Sequence, residues 1–401
     1  MKVLFVTWDG PQVSYVEGLF LPIFERLHCA GLQFHVLQFT WGDAARVEVT
    51  RKACEAAGVA YRATPVLRRP VGLGAMLTAF AGARQIRRAA NEWSIDILMP
   101  RSNLPAVACL LAHWRMPLPM VFDADGLPLD ERVDFAGSSP SAPAHRFLRD
   151  VEAEMVRRAD RVLTRSQRAI EILIARGGAG TAHDKFYVVG NGRDAEKFCP
   201  GDEALRRNTR QELGIDEMAP LLVYAGSLGK QYCLNEMLQL LEVVTNRRAD
   251  ARLLILSCSP EIARAALSTR PTLNAASVVM SVSANEVPRY LACADLGLAL
   301  RRPSFSMQAV APTKIGEYLL CGLPVVATKG VGDTDMIGRN AGFLLERMDR
   351  VELERVADWF CDSVLQRRDI YTKYCREIGL YWYSLDGCVR QYLSAYQGIF
   401  V

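Results

Sequence analysis

The sequence predicts an α/β protein with two doubly wound parallel sheets, one in each half of the chain. Short apolar runs alternate with longer helical patterns along the whole sequence. These runs do not alternate polar and apolar residues, which is typical of parallel strands buried on both faces. The chain has 401 residues. Because a single core seldom exceeds about 250–300 residues, we expect at least two domains.

The first half begins with the apolar run Lys2–Thr7, which ends in the turn signal Asp9-Gly10-Pro11. Helical patterns follow at Tyr15 to Gly31 and at Ala44–Ala57. Further strands are predicted at Phe34–Phe39, Ala60–Ala63, Asp96–Met99, Pro119–Asp123, Arg161–Thr164 and Lys185–Val189.

The pattern restarts after Asn191-Gly192, a strong turn signal. Strands are predicted at Leu221–Ala225, Arg252–Ser257, Ser277–Val282, Leu296–Leu300 and Pro324–Ala327, with a helix at Asn235–Thr245. Ligands of such sheets bind beyond the carboxyl ends of the strands. Two halves that face each other would leave a cleft, a common place for a small-molecule site.

Composition and charge exclude several classes of protein. Half of the residues are apolar and 23% are charged, as in ordinary globular proteins and unlike disordered or collagen-like chains. The net charge of +4 does not indicate a nucleic-acid partner. The histidines are scattered and no two cysteines have C-x-x-C spacing, so we expect no metal and reduced thiols. The segment WDGPQV after the first strand lacks the G-x-G-x-x-G of a dinucleotide site, and we expect no cofactor. No apolar stretch reaches the roughly 20 residues of a membrane span, and we expect a cytoplasmic protein.

The most specific segment is APTKIGEYLLCGLPVVAT, residues 311–328. Pro312-Thr313 can begin a helix that carries Lys314 and Glu317 in its first turns. A helix N-terminus with a nearby lysine suits a diphosphate, and a carboxylate can accept two hydroxyls of a ribose at once. The alternative is a plain helix with a surface lysine and glutamate.

This segment resembles the carboxyl-terminal signature of glycosyltransferase family 4, whose members are retaining, nucleotide-sugar-dependent enzymes. Three more segments carry the resemblance: VVGNGRDAEKFCP (188–200), LLVYAGSLGKQYCLNEML (221–238) and LACADLGLAL (291–300). It implies the GT-B fold, with two Rossmann-like domains facing across a cleft and C-terminal helices that cross back to the first domain. The implied acceptor domain is 1–195, the donor domain 196–375 and the returning helix 376–401.

The resemblance also implies donor-binding residues, with two departures from the family pattern. Glu317 matches the second signature glutamate, which contacts the ribose, but the first falls at Ala309, which has no carboxylate. Gln308 or the backbone of 308–311 could replace it. Many members carry an arginine where Ser227 stands, and Lys230 lies slightly before their usual lysine. The implied donor set is Gly226, Ser227, Lys230, Arg301, Pro312, Thr313, Lys314 and Glu317.

Asp123 and Asp125 are the candidate catalytic residues of the first domain. Lys230 and Lys314 are those of the second. Asp123 matches the aspartate of the family's His-Asp motif, and Phe122 takes the histidine's place. Both aspartates could instead only shape a turn, and a hydrolase with paired carboxylates is a further alternative.

Two further groups are candidates for an acceptor or phosphate loop. Arg101 follows the strand DILM, where it could bind a phosphate or a sugar hydroxyl or form a structural salt bridge. Asp9 and Gly10 end the first strand, where glycine lets the backbone approach a ligand.

A local basic stretch lies between residues 62 and 88. It holds Arg62, Arg68, Arg69, Arg84, Arg87 and Arg88 around the apolar VGLGAMLTAFAGA, and no acidic residue occurs between Glu55 and Glu92. An apolar stretch flanked by arginines suits an anionic membrane surface. The other interpretation is an ordinary helix with solvated arginines.

Taken together, the sequence predicts a glycosyltransferase that moves a sugar from a nucleotide diphosphate sugar to a glycan or lipid-linked acceptor with retention of configuration. The expected setting is bacterial cell-surface polysaccharide or glycoconjugate biosynthesis at the inner face of the cytoplasmic membrane. Two alternatives stay open: a catalytically silent GT-B binding protein, favoured by Ala309 and Ser227, and a nucleotide-sugar epimerase.

Overall fold

The computed structural model describes residues 1–12, 15–70, 72–338 and 340–399. They form two compact units. Unit 1 contains Met1–Gly192 and the C-terminal residues from Cys388, and unit 2 contains Arg193–Gly387. Each unit is an α/β domain with a parallel sheet.

The strands of unit 1 are β1 Lys2–Asp9, β2 Gln33–Thr40, β3 Ala60–Pro65, β4 Ile97–Pro100, β5 Val121–Asp123, β6 Arg161–Thr164 and β7 Phe186–Val188. They pair in parallel in the orders β3-β2-β1-β4 and β5-β6-β7. Bridges from Leu98 to Met120 and from Arg101 to Asp123 join β4 to β5. The carboxyl ends of β1, β4 and β5 therefore share one edge.

The helices of unit 1 are α1 Leu21–Cys29, α2 Ala44–Ala56, α3 Leu73–Trp93, α4 Asn103–His113, α5 Pro128–Ala136, α6 Pro143–Arg158 and α7 Gln167–Gly177. A π-helical turn, Val16–Phe20, precedes α1. Pro22 lies just after this turn. Because proline has no N–H, the regular pattern of α-helical hydrogen bonds is interrupted there. The predicted helix at Tyr15 to Gly31 is thus two segments.

The strands of unit 2 are β8 Leu221–Ala225, β9 Arg252–Leu256, β10 Ser277–Met280, β11 Leu296–Ala299, β12 Val325–Thr328 and β13 Gly342–Leu345. Their order is β10-β9-β8-β11-β12-β13, the doubly wound order of a Rossmann sheet. Strand β8 explains the unbroken apolar runs: Leu222 packs in the core on one face and Val223 in the core on the other. Strand β13 has no counterpart among the strands predicted from the sequence.

The helices of unit 2 are α8 Glu203–Glu212, α9 Leu234–Thr245, α10 Pro260–Leu267, α11 Pro271–Ala275, α12 Val287–Ala292, α13 Thr313–Leu320, α14 Arg350–Trp359 and α15 Arg368–Ile378. Short 3-10 segments lie at His183–Lys185, Ser306–Ala309, Thr334–Ile337 and Leu365–Arg367, and π-helical turns at Phe360–Val364 and Gly379–Tyr383.

The last helix, α16 Leu385–Tyr396, returns the chain to unit 1. Tyr396 is buried there against Phe34, with ring centroids 6.0 Å apart, and its hydroxyl contacts the Met99 sulfur at 3.1 Å. This return confirms the crossing helix that the resemblance implied. The implied returning helix 376–401 is interrupted at Ser384, whose extended backbone separates the preceding π-helical turn from α16.

In the part of the chain that the structure describes, every helix is too short or too polar to cross a bilayer.

Candidate functional site

The donor candidates of unit 2 lie at the carboxyl edge of its sheet. Gly226 follows β8, Arg301 follows β11, and α13 begins at Thr313 after Pro312. The loop after the central strands of such a sheet is where ligands bind. The order of the strands places β8 and β11 side by side, so these segments meet at one place.

Lys314 is the central cation of this edge. It is 8% exposed, and its Nζ lies 4.0 Å from the ring centre of Tyr224 and 4.6 Å from that of Tyr232. Among the described residues, none accepts a hydrogen bond from this Nζ. Burial lowers the pKa of Lys314 well below its ordinary value, and nearby Arg301 lowers it further, while Glu317 partly opposes the shift. A buried ammonium without an acceptor is energetically costly and suits an incoming anion.

Gly226 leaves room for that ammonium. Its φ is 146°, and a Cβ at this position would lie 3.0 Å from the Lys314 Nζ. The backbone conformation therefore favours glycine, and a Cβ here would crowd the ammonium. The structure thus places Gly226 directly next to the Lys314 ammonium, as the shared donor site requires.

Arg301 is the second cation at this edge. Its guanidinium lies 5.0 Å from the ring centre of Tyr232, the ring that Lys314 also contacts. Its backbone N–H donates to Thr328 Oγ1 at 3.0 Å, which fixes the loop after β11 to the end of β12. Two positive groups thus flank one tyrosine, an arrangement suited to a ligand with more than one negative charge.

Glu317, the proposed ribose acceptor, is paired with Arg193. Arg193 Nε donates to Glu317 Oε1 at 2.9 Å, and both side chains are 17% exposed. Burial raises the pKa of Glu317, and Arg193 and Lys314 only partly offset this. Arg193 was not predicted as a site residue, although it stands in the segment 188–200 that carries the resemblance.

The other donor candidates lie around this group. Ser227 and Lys230 are exposed in the turn after β8, and the Ser227 carbonyl accepts a hydrogen bond from the Tyr224 hydroxyl. Pro312 is buried and Thr313 is half-buried at the start of α13.

Ala309 is fully buried in the 3-10 segment Ser306–Ala309. Its side chain faces protein and offers no polar group where the family has the first glutamate. The neighbouring Gln308 donates from Nε2 to the Phe305 carbonyl at 3.2 Å.

In unit 1, Arg101, Asp123 and Asp125 form one ionic cluster with Arg165, in which only Asp125 is partly exposed. Arg101 Nη2 lies 2.5 Å from Asp125 Oδ1, and Arg165 Nη2 lies 2.8 Å from Asp123 Oδ2. Arg101 Nε is 3.7 Å from Asp123 Oδ2. Arg165 was not predicted as a site residue. It directly follows β6, and a charged residue at the carboxyl end of a buried strand was the available signal.

The cluster balances two carboxylates against two guanidinium groups. Asp123 has no exposed surface, and burial raises its pKa although Arg165 and Arg101 oppose the shift. Burial would lower the pKa of Arg101, but Asp125 and Asp123 outweigh it and raise that pKa. Asp125 has a φ of 59°, left-handed for a residue with a side chain, and its N–H donates to Asp123 Oδ1 at 3.2 Å.

Asp9 and Gly10 belong to a different set of contacts. Asp9 Oδ2 accepts hydrogen bonds from Thr7 Oγ1 at 2.8 Å and from Gln38 Nε2 at 3.2 Å. A Cβ on Gly10 would lie 2.6 Å from the Trp41 ring. Gly10 therefore lets the backbone approach an indole of its own chain. The hydrogen bonds of Asp9 within the described residues do not include Arg101, Asp123 or Asp125.

The basic stretch 62–88 runs from β3 through a connecting segment, where Arg68 and Arg69 are exposed, to α3. Arg62 is paired with Glu92 at 2.7 Å and lies over Trp93. Arg84 and Arg88 are exposed on α3 and Arg87 is half-buried. Val71, inside the apolar part, lies outside the described residues. The exposed side chains Leu73, Leu77 and Phe80 share the face of α3 that Arg84 continues.

Groups of His, Cys, Asp or Glu able to hold a metal ion do not occur in residues 1–12, 15–70, 72–338 and 340–399. The predicted catalytic carboxylates Asp123, which is buried, and Asp125, which is one-third exposed, are instead bound by arginines.

Two protein families match the chain in sequence. The family described as Glycosyl transferase 4-like domain matches residues 21–192, and the family described as Glycosyl transferases group 1 matches residues 219–359. The first match lies in unit 1 and the second in unit 2.

Curated relatives carry a related description. D-inositol 3-phosphate glycosyltransferase of Kribbella flavida is 30% identical over 157 residues, 39% of this chain and 35% of the relative. The protein of the same description from Corynebacterium kroppenstedtii is 24% identical over 273 residues, 62% of this chain and 55% of the relative. The matches therefore span between about a third and about half of the relatives' own lengths.

Solved structures share the fold over almost the full chain. A glycosyltransferase from Rickettsia africae superimposes with a TM-score of 0.75 at 14% identity, covering 99% of this chain and 98% of that one. Anabaena HepE in complex with UDP-glucose superimposes with a TM-score of 0.71 at 18% identity, covering 98% of this chain and 100% of that one. WaaG, a glycosyltransferase involved in lipopolysaccharide biosynthesis, superimposes with a TM-score of 0.67 at 16% identity, covering 98% of each chain.

Proposed function

Because the chain belongs to the GT-B glycosyltransferases of the family 4 type, we propose that it moves a sugar from a nucleotide diphosphate sugar to an acceptor hydroxyl with retention of configuration. The observation that carries the proposal is the buried ammonium of Lys314, next to Gly226 and without an acceptor in the described part of the chain. A diphosphate at this edge would supply the missing acceptor oxygens. The UDP-glucose complex of the structural neighbour HepE supports a donor of this class.

The chemistry requires the bond between the sugar C1 and the diphosphate oxygen to break with its electron pair leaving on the diphosphate. The acceptor oxygen then bonds to C1 on the same face, and its proton passes to the departing phosphate. Lys314 and Arg301 would stabilise the charge that develops on the diphosphate, with Lys230 as an exposed third cation. Positive protein groups thus provide the stabilisation, and we propose no resident metal or cofactor.

We assign Glu317 to the ribose and the ionic cluster of Asp123 and Asp125 to the acceptor end. Asp123 is held between Arg165 and Arg101. A carboxylate so paired is a weak nucleophile, so its role in this proposal is to orient groups by charge and hydrogen bonding.

We also propose that the acceptor is a glycan or lipid-linked molecule of bacterial cell-surface biosynthesis, reached from the cytoplasmic side of the membrane. Two observations support this. WaaG, a neighbour in fold, is described as a lipopolysaccharide enzyme. The face of α3 with Leu73, Leu77 and Phe80 exposes apolar side chains beside arginines, as helices at a lipid surface do.

A second candidate function rests on Ala309. Because this position is fully buried and carries no carboxylate, the chain could bind a nucleotide sugar without transferring the sugar. Such a protein would act as a binding or accessory subunit.

The experiment is a calorimetric titration of the full chain with UDP, GDP and ADP sugars, followed by assays for hydrolysis of each bound donor. Binding with slow donor hydrolysis supports the transferase. Binding without any turnover supports the silent protein. The control Lys373→Met removes an exposed lysine of the same unit, whereas Lys314→Met removes the buried one. If no nucleotide sugar binds to the wild type, both functions are wrong.

A further inference from the structure

The Lys314 ammonium is covered by two aromatic rings. Its Nζ is fully buried and lies 4.0 Å from the ring centre of Tyr224 and 4.6 Å from that of Tyr232. The two rings also contact each other, with centroids 6.4 Å apart and planes inclined by 64°. Because Nζ has no surface open to solvent, a diphosphate can reach it only if one of the groups around it moves.

Tyr224 belongs to the rigid part of this cover. It has no exposed surface and lies on β8, between β9 and β11 in the sheet of unit 2. Its hydroxyl donates to the Ser227 carbonyl, and its ring packs in the same core as Leu222 and Leu298. A movement of Tyr224 would therefore disturb a close-packed interior, which resists such changes.

Tyr232 is the part of the cover that can move. The residue is half-buried, and within the described part of the chain its hydroxyl has no hydrogen-bond partner. Its backbone, by contrast, is fixed: the N–H donates to the Gly229 carbonyl at 3.0 Å, the carbonyl accepts from the Leu234 N–H at 2.9 Å, and the residue pairs with Arg301 in an isolated bridge. The ring can thus turn about its side-chain bonds while the loop stays in place, and such rotamer changes are fast.

The same ring holds the second cation of the site. The Arg301 guanidinium lies 5.0 Å from the Tyr232 ring centre, and its Nε is buried without an acceptor among the described residues. A π face attracts a cation at this distance, so one ring stabilises two positive groups that repel each other. Arg301 accordingly contributes to the lowered pKa of Lys314. If the ring turns outward, both cations lose it together, and a ligand with at least two negative charges can replace it.

We propose that Tyr232 is a positioning residue of the donor site, whose ring holds Lys314 and Arg301 until it turns outward and gives a diphosphate access to both cations. The role belongs to the ring and not to the hydroxyl, which has no partner in the described residues. The inference rests on the proposed function, because it concerns access to the same diphosphate site. No bond is made or broken at Tyr232.

The first test measures access to Lys314 without any ligand. The full chain is methylated with formaldehyde and cyanoborohydride, and the modification of each lysine is measured by peptide mass spectrometry. Lys314 should react at least tenfold more slowly than the exposed Lys373. Tyr232→Ala should raise the rate at Lys314 at least tenfold, and Tyr232→Phe should keep the wild-type rate because the ring remains. The control Tyr374→Ala removes a tyrosine that is 42% exposed on α15 and should change nothing.

Unfolding in urea is measured for each variant, so that faster methylation in a chain that stays folded reports the loss of the cover alone. If Tyr232→Ala does not fold, Tyr232→Leu takes its place, since leucine keeps an apolar side chain without the π face.

The second test asks whether a diphosphate moves the ring. 3-Fluorotyrosine is placed at position 232 or, as a control, at position 374, and its fluorine signal is followed by NMR while UDP is added. The signal at position 232 should shift and the one at position 374 should not. UDP should also slow the methylation of Lys314 in Tyr232→Ala at least tenfold. Calorimetry measures UDP binding in parallel.

The outcomes separate this inference from the proposed function. The role of Tyr232 is overturned, and the proposed function stands, if UDP binds without any change in the fluorine signal at position 232. The role is also overturned if wild-type Lys314 reacts as fast as Lys373, or if Tyr232→Ala and Tyr374→Ala give equal rates at Lys314. Faster methylation in Tyr232→Ala without binding of any nucleotide would overturn the proposed function and leave the cover of Lys314 established.

Discussion

Arg193 Nε donates a hydrogen bond to Glu317 Oε1 at 2.9 Å, across 124 residues of sequence. The backbone of Arg193 is fixed as well: its N–H donates to the Tyr383 carbonyl at 2.9 Å, and its carbonyl accepts from the Leu385 N–H at 2.8 Å. Arg193 is therefore held in place before any ligand binds. It leaves Glu317 one carboxylate oxygen for a ribose hydroxyl and favours the charged form of that carboxylate.

The first prediction concerns this pair. Arg193→Met removes the positive neighbour, so the pKa of Glu317, already raised by burial, should rise further. A raised carboxyl pKa means that the charged acceptor is lost as pH falls through that higher value. We expect UDP affinity to fall about tenfold near neutral pH, and its loss on acidification to begin at a higher pH. Calorimetry from pH 5 to 8.5 measures both.

Two companion variants separate positioning from a structural effect. Arg193→Lys should keep most of the wild-type dependence of UDP affinity on pH, because lysine retains the positive charge beside Glu317. Arg350→Met breaks an exposed pair with Glu354 in the same unit and should leave UDP binding unchanged. An unaltered pH profile in Arg193→Met would show that Arg193 does not act through Glu317.

The second prediction concerns Lys314. Its Nζ is buried without an acceptor in the described residues, so Lys314→Met should stabilise the unliganded chain by about 1–3 kcal/mol. The same variant should lose UDP binding. A gain in stability together with a loss of binding is typical of a residue kept for function. Chemical unfolding and calorimetry measure the two effects.

The lowered pKa of Lys314 adds a pH signature. Between that pKa and the ordinary 10.5, the unfolded chain holds the proton and the folded chain does not, so this residue makes stability rise with pH across that window. Diphosphate binding should raise the pKa of Lys314 again, so binding within that window should be accompanied by uptake of a proton. Lys314→Met should lack both effects, and Lys373→Met should keep them. If Lys314→Met binds UDP normally, the diphosphate role is wrong.

The sequence predicted the fold well because buried strands are unbroken apolar runs, as in LLVYA of β8. It missed β13, where Gly342–Leu345 follows loops rich in glycine and is too short to give a pattern. The return of the chain to unit 1 came from the family resemblance, since no periodicity in YWYSLDGCVRQYLSAY indicates which unit Tyr396 enters.

The candidate site was predicted in part. Lys314 and Gly226 are in segments with a family signature, and the structure places them together. Arg165 and Arg193 were missed because a single arginine after a strand or in a turn looks like surface charge. Their partners, Asp123 and Glu317, are far away in sequence. Such pairs depend on the register of parallel strands and on tertiary packing, which local patterns do not record.

The third prediction concerns the buried pair of Arg165 and Asp123. Arg165→Met would leave a carboxylate without exposed surface and with a more distant counter-ion, Arg101 Nε at 3.7 Å. Breaking a buried pair in this way costs about 3–5 kcal/mol. Because the variant should raise the pKa of Asp123 further, the loss of stability should grow as pH rises from 5 to 7.5.

Unfolding in urea at both pH values measures this loss, and Asp123→Asn added to Arg165→Met should remove its pH dependence. Arg157→Met breaks an exposed pair with Glu154 in the same unit and should cost about 0–1 kcal/mol. Equal stability of Arg165→Met and Arg157→Met would mean that the cluster is not held by this pair.

The fourth prediction concerns the exposed face of α3. Arg62 is engaged with Glu92, and the exposed arginines of the stretch are Arg68 and Arg69 before α3 and Arg84 and Arg88 on it. Replacing Arg84, Arg87 and Arg88 with glutamine should weaken binding to anionic vesicles by up to about 3 kcal/mol, at about 1 kcal/mol for each cation near the surface. Leu77→Glu with Phe80→Glu should also weaken binding, because these side chains are 50% and 47% exposed on the same helix.

Salt separates the two contributions. High ionic strength should reduce wild-type binding towards that of the triple arginine variant, whereas the glutamate variant should bind poorly at any salt concentration because its apolar contact is lost. A control that replaces Arg207, Arg347 and Arg350 of unit 2 with glutamine removes the same charge from exposed positions. If this control weakens vesicle binding as much as the α3 triple variant, the attraction comes from overall charge. The face of α3 would then have no special part in reaching the acceptor.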